Sequence, residues 1–247
     1  MDFFARMWDI LSQNWPMFLR GTGTTLLVSL LGTIIGLIIG MLVGIVRTIP
    51  ESKNKVSNIF LKIVKALLNA YIQVFRGTPM IVQATLFYFG LQQFFDINMS
   101  PMTASFFVVS INTGAYLAEV VRGGINSIDK GQFEAAHALG MNHFQTMVNV
   151  VLPQAFKNII PAVGNEFIVN IKDTSVLNVI SLNELFFATK SIAGSNFLYF
   201  ESYLITSIIY LTLTLGVAGI LHLLERRLSG PKSYNKLSTS IILKSSN

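Results

Sequence analysis

The 247-residue chain contains no cysteine, which excludes a disulfide framework, a thiolate nucleophile and a cysteine metal site, and leaves the redox compartment unmarked. Charge is scarce as well: Asp, Glu, Lys and Arg make up 12% of the residues against 52% hydrophobic ones, where a soluble domain carries about 25% charged residues. That deficit, with a mean hydropathy of +0.58, excludes a water-soluble fold and points to an integral membrane protein. The signatures GxxxxGK[ST], HExxH and GxSxG are missing, and His137, His143 and His222 are scattered. Any ATP chemistry must therefore come from another chain, and no cofactor or metal is expected in this one. Asp2, Trp8, Asp9 and Trp15 interrupt the start, so no cleaved leader is expected. The net charge of +6 does not indicate nucleic acid, because the basic residues flank apolar spans instead of forming a stripe with interleaved aromatics.

What is present is a series of long apolar blocks. Residues 1–20 alternate aromatics (Phe3, Phe4, Trp8, Trp15, Phe18) with Asp2, Arg6, Asp9 and Arg20, the pattern of a segment lying in the headgroup region. Thr24 to Val46 carries no charge and, at ~1.5 Å per residue, is long enough to cross a ~30 Å hydrocarbon core. Gly32, Gly36, Gly40 and Gly44 recur every fourth residue and form a smooth ridge for a second helix. Arg47, Lys53, Lys55, Lys62, Lys65 and Arg76 then mark a cytoplasmic region. Residues 57–95 read as one crossing with an elbow at Arg76, Gly77, Thr78 and Pro79, where proline removes a donor and glycine permits a bend. Two crossings there would put the basic loop around residues 122–157 outside. The third crossing is Met102 to Val121 and the fourth runs from Pro153, in its first turn, to Asp173, breaking at Thr174-Ser175. The fifth is Tyr203 to Leu224.

The expected fold class is therefore an all-α integral membrane protein of five transmembrane helices. An interfacial segment (1–20) precedes a transmembrane domain (21–228), which contains a cytoplasmic loop (123–153). A disordered cytoplasmic tail (229–247) ends the chain. Fourteen of the eighteen Lys and Arg fall inside on this plan, which gives N-terminus out and C-terminus in.

In the cytoplasmic loop, Asp129 with Gln132 and Asn142 with Gln145 have the spacing of helix caps, and Gly140 suits the left-handed residue that closes a helix. Two short helices around Glu134, Ala135 and Ala136 have too little apolar surface to stand alone and require a partner. In the membrane, Asn112, Tyr116 and Glu119 share one face of the third helix. Glu166, Asn170 and Asp173 repeat the spacing on the fourth, next to Lys172. Ionisable groups at such depth cost ~2.5–3.5 kcal/mol and mark a bundle interior or a water-filled path. The break at Thr174 and Ser175 frees backbone groups that are tolerated only in protein or beside a cavity. A structural Lys172–Asp173 pair is the alternative reading of those two residues.

Four stretches carry a resemblance. Glu134-Ala135-Ala136-x3-Gly140 followed by Leu152-Pro153 resembles the EAA signature of ABC importer permeases. YIQVFRGTP (71–79), NTGAYLAEVVRG (112–123) and IKDTS (171–175) look like the polar amino acid subfamily of those permeases. The match covers about residues 20–228. It implies a type I ABC importer permease fold of five crossings in the plasma membrane of a prokaryote. By the same resemblance, two ABC ATPase subunits carry ATP and Mg and grip the coupling helix at Glu134, Ala135, Ala136 and Gly140. A second permease copy or paralogue completes the path, and an extracytoplasmic solute-binding protein delivers an amino acid, glutamine being the first guess. From the residues alone an autonomous ion-coupled transporter or channel using Glu119, Glu166 and Asp173 stays open. The pathway residues expected are Asn112, Tyr116, Glu119, Glu166, Asn170, Lys172, Asp173, Thr174 and Ser175.

Overall fold

A computed structural model describes residues 2–51 and 54–228; the expected tail at 229–247 lies outside the described residues. Helix α1 runs unbroken over Phe3–Thr48, 46 residues that pass through Pro16. The interfacial segment expected at residues 1–20 is thus no separate element. Its Ile10 and Phe18 pack with Leu185, Ile192 and Ile205, and that burial extends the helix past the apolar stretch. The chain continues as α2 (Lys55–Gly77), α3 (Met80–Phe95), α4 (Pro101–Asn126) and α5 (Lys130–Ala138). Next come α6 (His143–Thr146), a π turn at Met147–Val151 and α7 (Leu152–Asp173). A 3-10 stretch at Thr174–Ile180 leads to α8 (Leu185–Asn196) and α9 (Tyr199–Leu228). Among the described residues, α1, α2, α4 and residues 199–226 of α9 are long and apolar enough to cross a membrane. Helix α7 has the length, but its polar stripe lowers its hydropathy.

The glycine ridge of α1 beds against α4. Gly32 faces Val109, Gly36 faces Thr113, Gly40 faces Leu117 and Gly44 faces Val121, both numbers rising together, so the two helices run parallel. A methyl group added at Gly36 or Gly40 would come within 2.7 Å of α4 side chains, which is why only glycine serves in this contact. Against α7 the order reverses: Thr113 meets Asn170 and Gly124 meets Ile159, so α4 and α7 are antiparallel. The α2–α3 pair climbs antiparallel to α4 on either side of its elbow. Below it Tyr71 donates to the Ile111 carbonyl, and above it Phe87 packs edge-on against Phe107.

Glu184 anchors the far end. It is fully buried and caps α8 by accepting from Phe186 N at 2.8 Å, Phe187 N at 2.7 Å and the Tyr210 hydroxyl at 3.0 Å. Burial pushes its carboxyl up from the ordinary range, and these three donors draw it back.

Candidate solute path and coupling surface

The elbow forms where the Pro79 ring ends α2 and starts α3. The carbonyls it frees are collected by side chains. Gln83 donates through Nε2 to Phe75 O, Thr78 O and Thr78 Oγ1, each at 2.9 Å. Asn112, buried at the middle of α4, donates to Gln83 Oε1 at 2.9 Å and to Phe75 O at 3.2 Å. Asn112 is thereby held by the elbow and does not face an open path.

The remaining polar residues divide in the same way. Asn170 is buried and ties three helices together, donating to Thr33 Oγ1 and Thr113 Oγ1 at 2.9 Å each. Glu119 accepts from Arg47 Nη1 at 2.6 Å and Arg122 Nη2 at 2.9 Å. Thr174 is buried and donates back to Ile171 O at 3.0 Å. These four satisfy groups within the fold. Glu166 and Asp173, by contrast, make no hydrogen bond or ion pair among the described residues, and each is partly open. Glu166 senses Asp173 and Arg76 electrostatically, and Asp173 senses the adjacent Lys172. Arg76 is exposed at the elbow, its guanidinium 5.3 Å from the centre of the Tyr116 ring. Lys172 is exposed and forms no ion pair within 4 Å of Asp173. With Ser175, Phe186, Ser207, Tyr210, Leu211 and Thr214 it borders a cavity of about 400 Å³.

Arg76, set on the Tyr116 ring, thus lies within electrostatic range of Glu166, which in turn senses Asp173 at the end of α7. Arg76 was expected only as an elbow residue on the cytoplasmic side. Its place at the level of Asn112 was not visible in the sequence, because the depth of an elbow depends on how α2 and α3 pack. The bend itself lies at Thr78 and Pro79, and Gly77 is the last helical residue of α2, with no positive φ.

At the other end, Asp129 caps α5 by accepting from Gly131 N at 2.7 Å. Gln132 does not complete a capping box, because its side chain accepts from Gln154 Nε2 at 3.3 Å instead. Gly140 has φ +77° and closes α5, with Met141 N bonding Ala136 O and Gly140 N bonding His137 O, a Schellman closure. Asn142 and Gln145 form the full capping box expected, at 2.9 Å in both directions. The helix they open is no separate short helix. It continues through the π turn into α7, so Pro153 does not start that helix. The turn, with Leu152 N reaching Met147 O, makes room for the proline ring inside a running helix. Phe133 packs against the core of Val121, Ile125, Met147 and Val151, and Ala136 is buried. Ala136 therefore seats α5 on its own protein and is unavailable to a partner. Glu134 and Ala135 face out, flanked by Leu139 at 81% and Phe144 at 73% exposure. These two apolar side chains, unremarked in the sequence, are what an outside partner would cover.

Residues 36–230 match the family described as binding-protein-dependent transport system inner membrane component. The chain belongs to this family. It is 38% identical over 223 residues to the glutamine transport system permease protein GlnP of Escherichia coli (strain K12), covering 90% of this chain and 97% of that one. It is 35% identical over 226 residues to the probable amino-acid permease protein YxeN of Bacillus subtilis (strain 168), with 91% and 96% covered. Among solved structures, the crystal structure of an amino acid ABC transporter with histidines superposes with a TM-score of 0.80 at 38% identity, over 92% of this chain and 99% of that one. An inward-facing MetNI methionine ABC transporter shares the fold at 16% identity, with a TM-score of 0.71 over 86% of this chain and 96% of that one. The fold is that of an ABC importer permease, and the chain is a membrane transport component of that kind.

Proposed function

We propose that this permease moves a polar, zwitterionic amino acid, glutamine foremost, across the plasma membrane of a prokaryote. The observation that carries the reading is the set formed by Arg76 on Tyr116 with Glu166 and Asp173. Arg76 would hold the α-carboxylate, while the two carboxylates would take the ammonium group. Arg76, Glu166 and Asp173 form no ion pair within 4 Å among the described residues, and ionisable groups within a membrane span mark function. The relatives named for glutamine and amino-acid transport support the same class.

ATP and Mg would be supplied by two ATPase subunits docked on Glu134, Ala135, Leu139, Gly140 and Phe144 of each permease pair. A second permease copy would complete the path and an external binding protein would deliver the solute. The parallel run of α1 and α4 supports a single crossing by α2–α3, and the antiparallel α7 supports a further one. Five crossings with the N-terminus out and the C-terminus in then follow from the excess of Lys and Arg on one side. Mass spectrometry of small molecules released from the purified complex tests the class directly. Glutamine or a similar neutral amino acid is expected, and a bound solute without an amino-acid backbone would refute the reading.

A further inference from the structure

Helix α2 carries a polar strip that the elbow and the candidate site do not account for. Lys62, Lys65, Asn69, Gln73 and Arg76 recur at intervals of three and four, and at 3.6 residues per turn they occupy about 80° of the helix surface. One flank of the strip is the packing face, where Leu68, Tyr71, Ile72 and Phe75 meet α1 and α4. On the far side Ile59, Ile63, Leu67 and Val74 are exposed, the composition of a lipid-facing surface. Asn69 and Gln73 are exposed too, and neither side chain makes a hydrogen bond among the described residues. Two amides facing hydrocarbon without partners would each cost several kcal/mol, so this flank of α2 does not face lipid.

The space beside it is a cavity of about 460 Å³, bordered by Arg47, Asn69, Gln73, Arg76, Gly77 and Glu119. Its size is that of a small-molecule site. One end opens at Arg76, where the candidate solute site lies. The other end is crossed by the Arg47–Glu119 pair, 2.6 Å long, with Arg122 holding the second carboxylate oxygen at 2.9 Å.

We propose that this cavity is the inner vestibule of the solute path: a water-filled passage from Arg76 towards the cytoplasm, lined by Asn69 and Gln73 and closed below by the Arg47–Glu119 ion pair. The inference rests on the solute path proposed above and adds its exit. Arg76 and Arg47 at the two ends offer successive cationic partners for a carboxylate. The amides between them can hydrogen-bond a passing polar solute without holding it tightly. Opening would require Arg47 to leave Glu119, a change that Arg122 makes possible by keeping the carboxylate paired.

The absence of cysteine allows a test free of background from this chain. Asn69→Cys and Gln73→Cys on the strip, and Leu67→Cys and Val74→Cys on the apolar flank, are placed in the full chain with its ATPase. They are exposed to a membrane-impermeant thiosulfonate on the cytoplasmic face of inside-out vesicles. A thiol reacts as its thiolate, which forms only in contact with water, so the strip positions should label at least about tenfold faster than the flank positions. Glu119→Gln should raise the rate at Gln73→Cys further. Equal rates on the two sides of α2, or no reaction at either strip position, would overturn the proposal. Labelling requires no solute, so a wrong solute class leaves this result standing. Conversely, confirmed amino-acid uptake with an unreactive strip removes the vestibule alone.

Discussion

Asn112 donates to Gln83 Oε1 at 2.9 Å across the α3–α4 contact, and both side chains converge on the Phe75 carbonyl that the elbow leaves free. One polar residue on the packed face of α4 thus braces the elbow that Pro79 makes. Asn112→Leu removes the donor and leaves Gln83 Oε1 without it, while Phe75 O keeps Gln83 Nε2, a loss of about 1–3 kcal/mol. Thermal unfolding of the purified protein in detergent should show a clear fall in Tm, and an unchanged Tm would show that the elbow does not depend on this bond.

The α1–α4 contact makes a second prediction. Gly40→Leu places atoms where Leu117 already sits, with its Cβ 2.7 Å from the position of the first added carbon. It should destabilise the protein by about 1–3 kcal/mol through overpacking. Gly23→Ala, where nothing lies within 4 Å, should leave stability unchanged or slightly raised. Equal behaviour of the two variants, measured by the same unfolding assay, would mean that the helices do not pack as described.

The loop between α4 and α7 makes a third. Gly140 sits at φ +77° in open space, so Gly140→Ala meets strain and no clash, at about 1–2 kcal/mol. The cost falls on the exit from α5, which sets the angle of Glu134, Leu139 and Phe144. Gly140→Ala should weaken co-purification of the ATPase subunit, and Glu134→Lys together with Leu139→Asp should weaken it more. Both variants should leave the chain in the membrane. Undiminished co-purification in every variant would place the docking surface elsewhere.

Much of this arrangement was legible in the sequence, for physical reasons that differ between elements. Glycines every fourth residue mark a close helix contact, and Pro79 marks a break, because both are local requirements of the backbone. Asn142 and Gln145 announce their capping box by spacing alone. Asn112, Glu119 and Asn170 were legible as polar residues on the right faces, but a periodic pattern does not say which partner a face meets. In the fold they are taken up by Gln83, Arg47 and Thr113. Pro153 misled for a related reason: a proline usually starts a helix, and only the π turn before it allows the helix to run through. The strip on α2 is hidden in the sequence because Lys62 and Lys65 serve equally as topology signals, and Asn69 and Gln73 gain meaning only from the cavity beside them.

Uptake of radiolabelled glutamine into vesicles carrying the assembled transporter, compared between the native chain, Arg76→Gln and Glu166→Gln, decides whether the mid-depth set holds the solute. Both variants should reduce uptake by at least about tenfold, the effect of losing one charged hydrogen bond at a site, while assembly and solute-free ATP hydrolysis persist. Native uptake kinetics in both would contradict the assignment of Arg76 and Glu166 to the solute path.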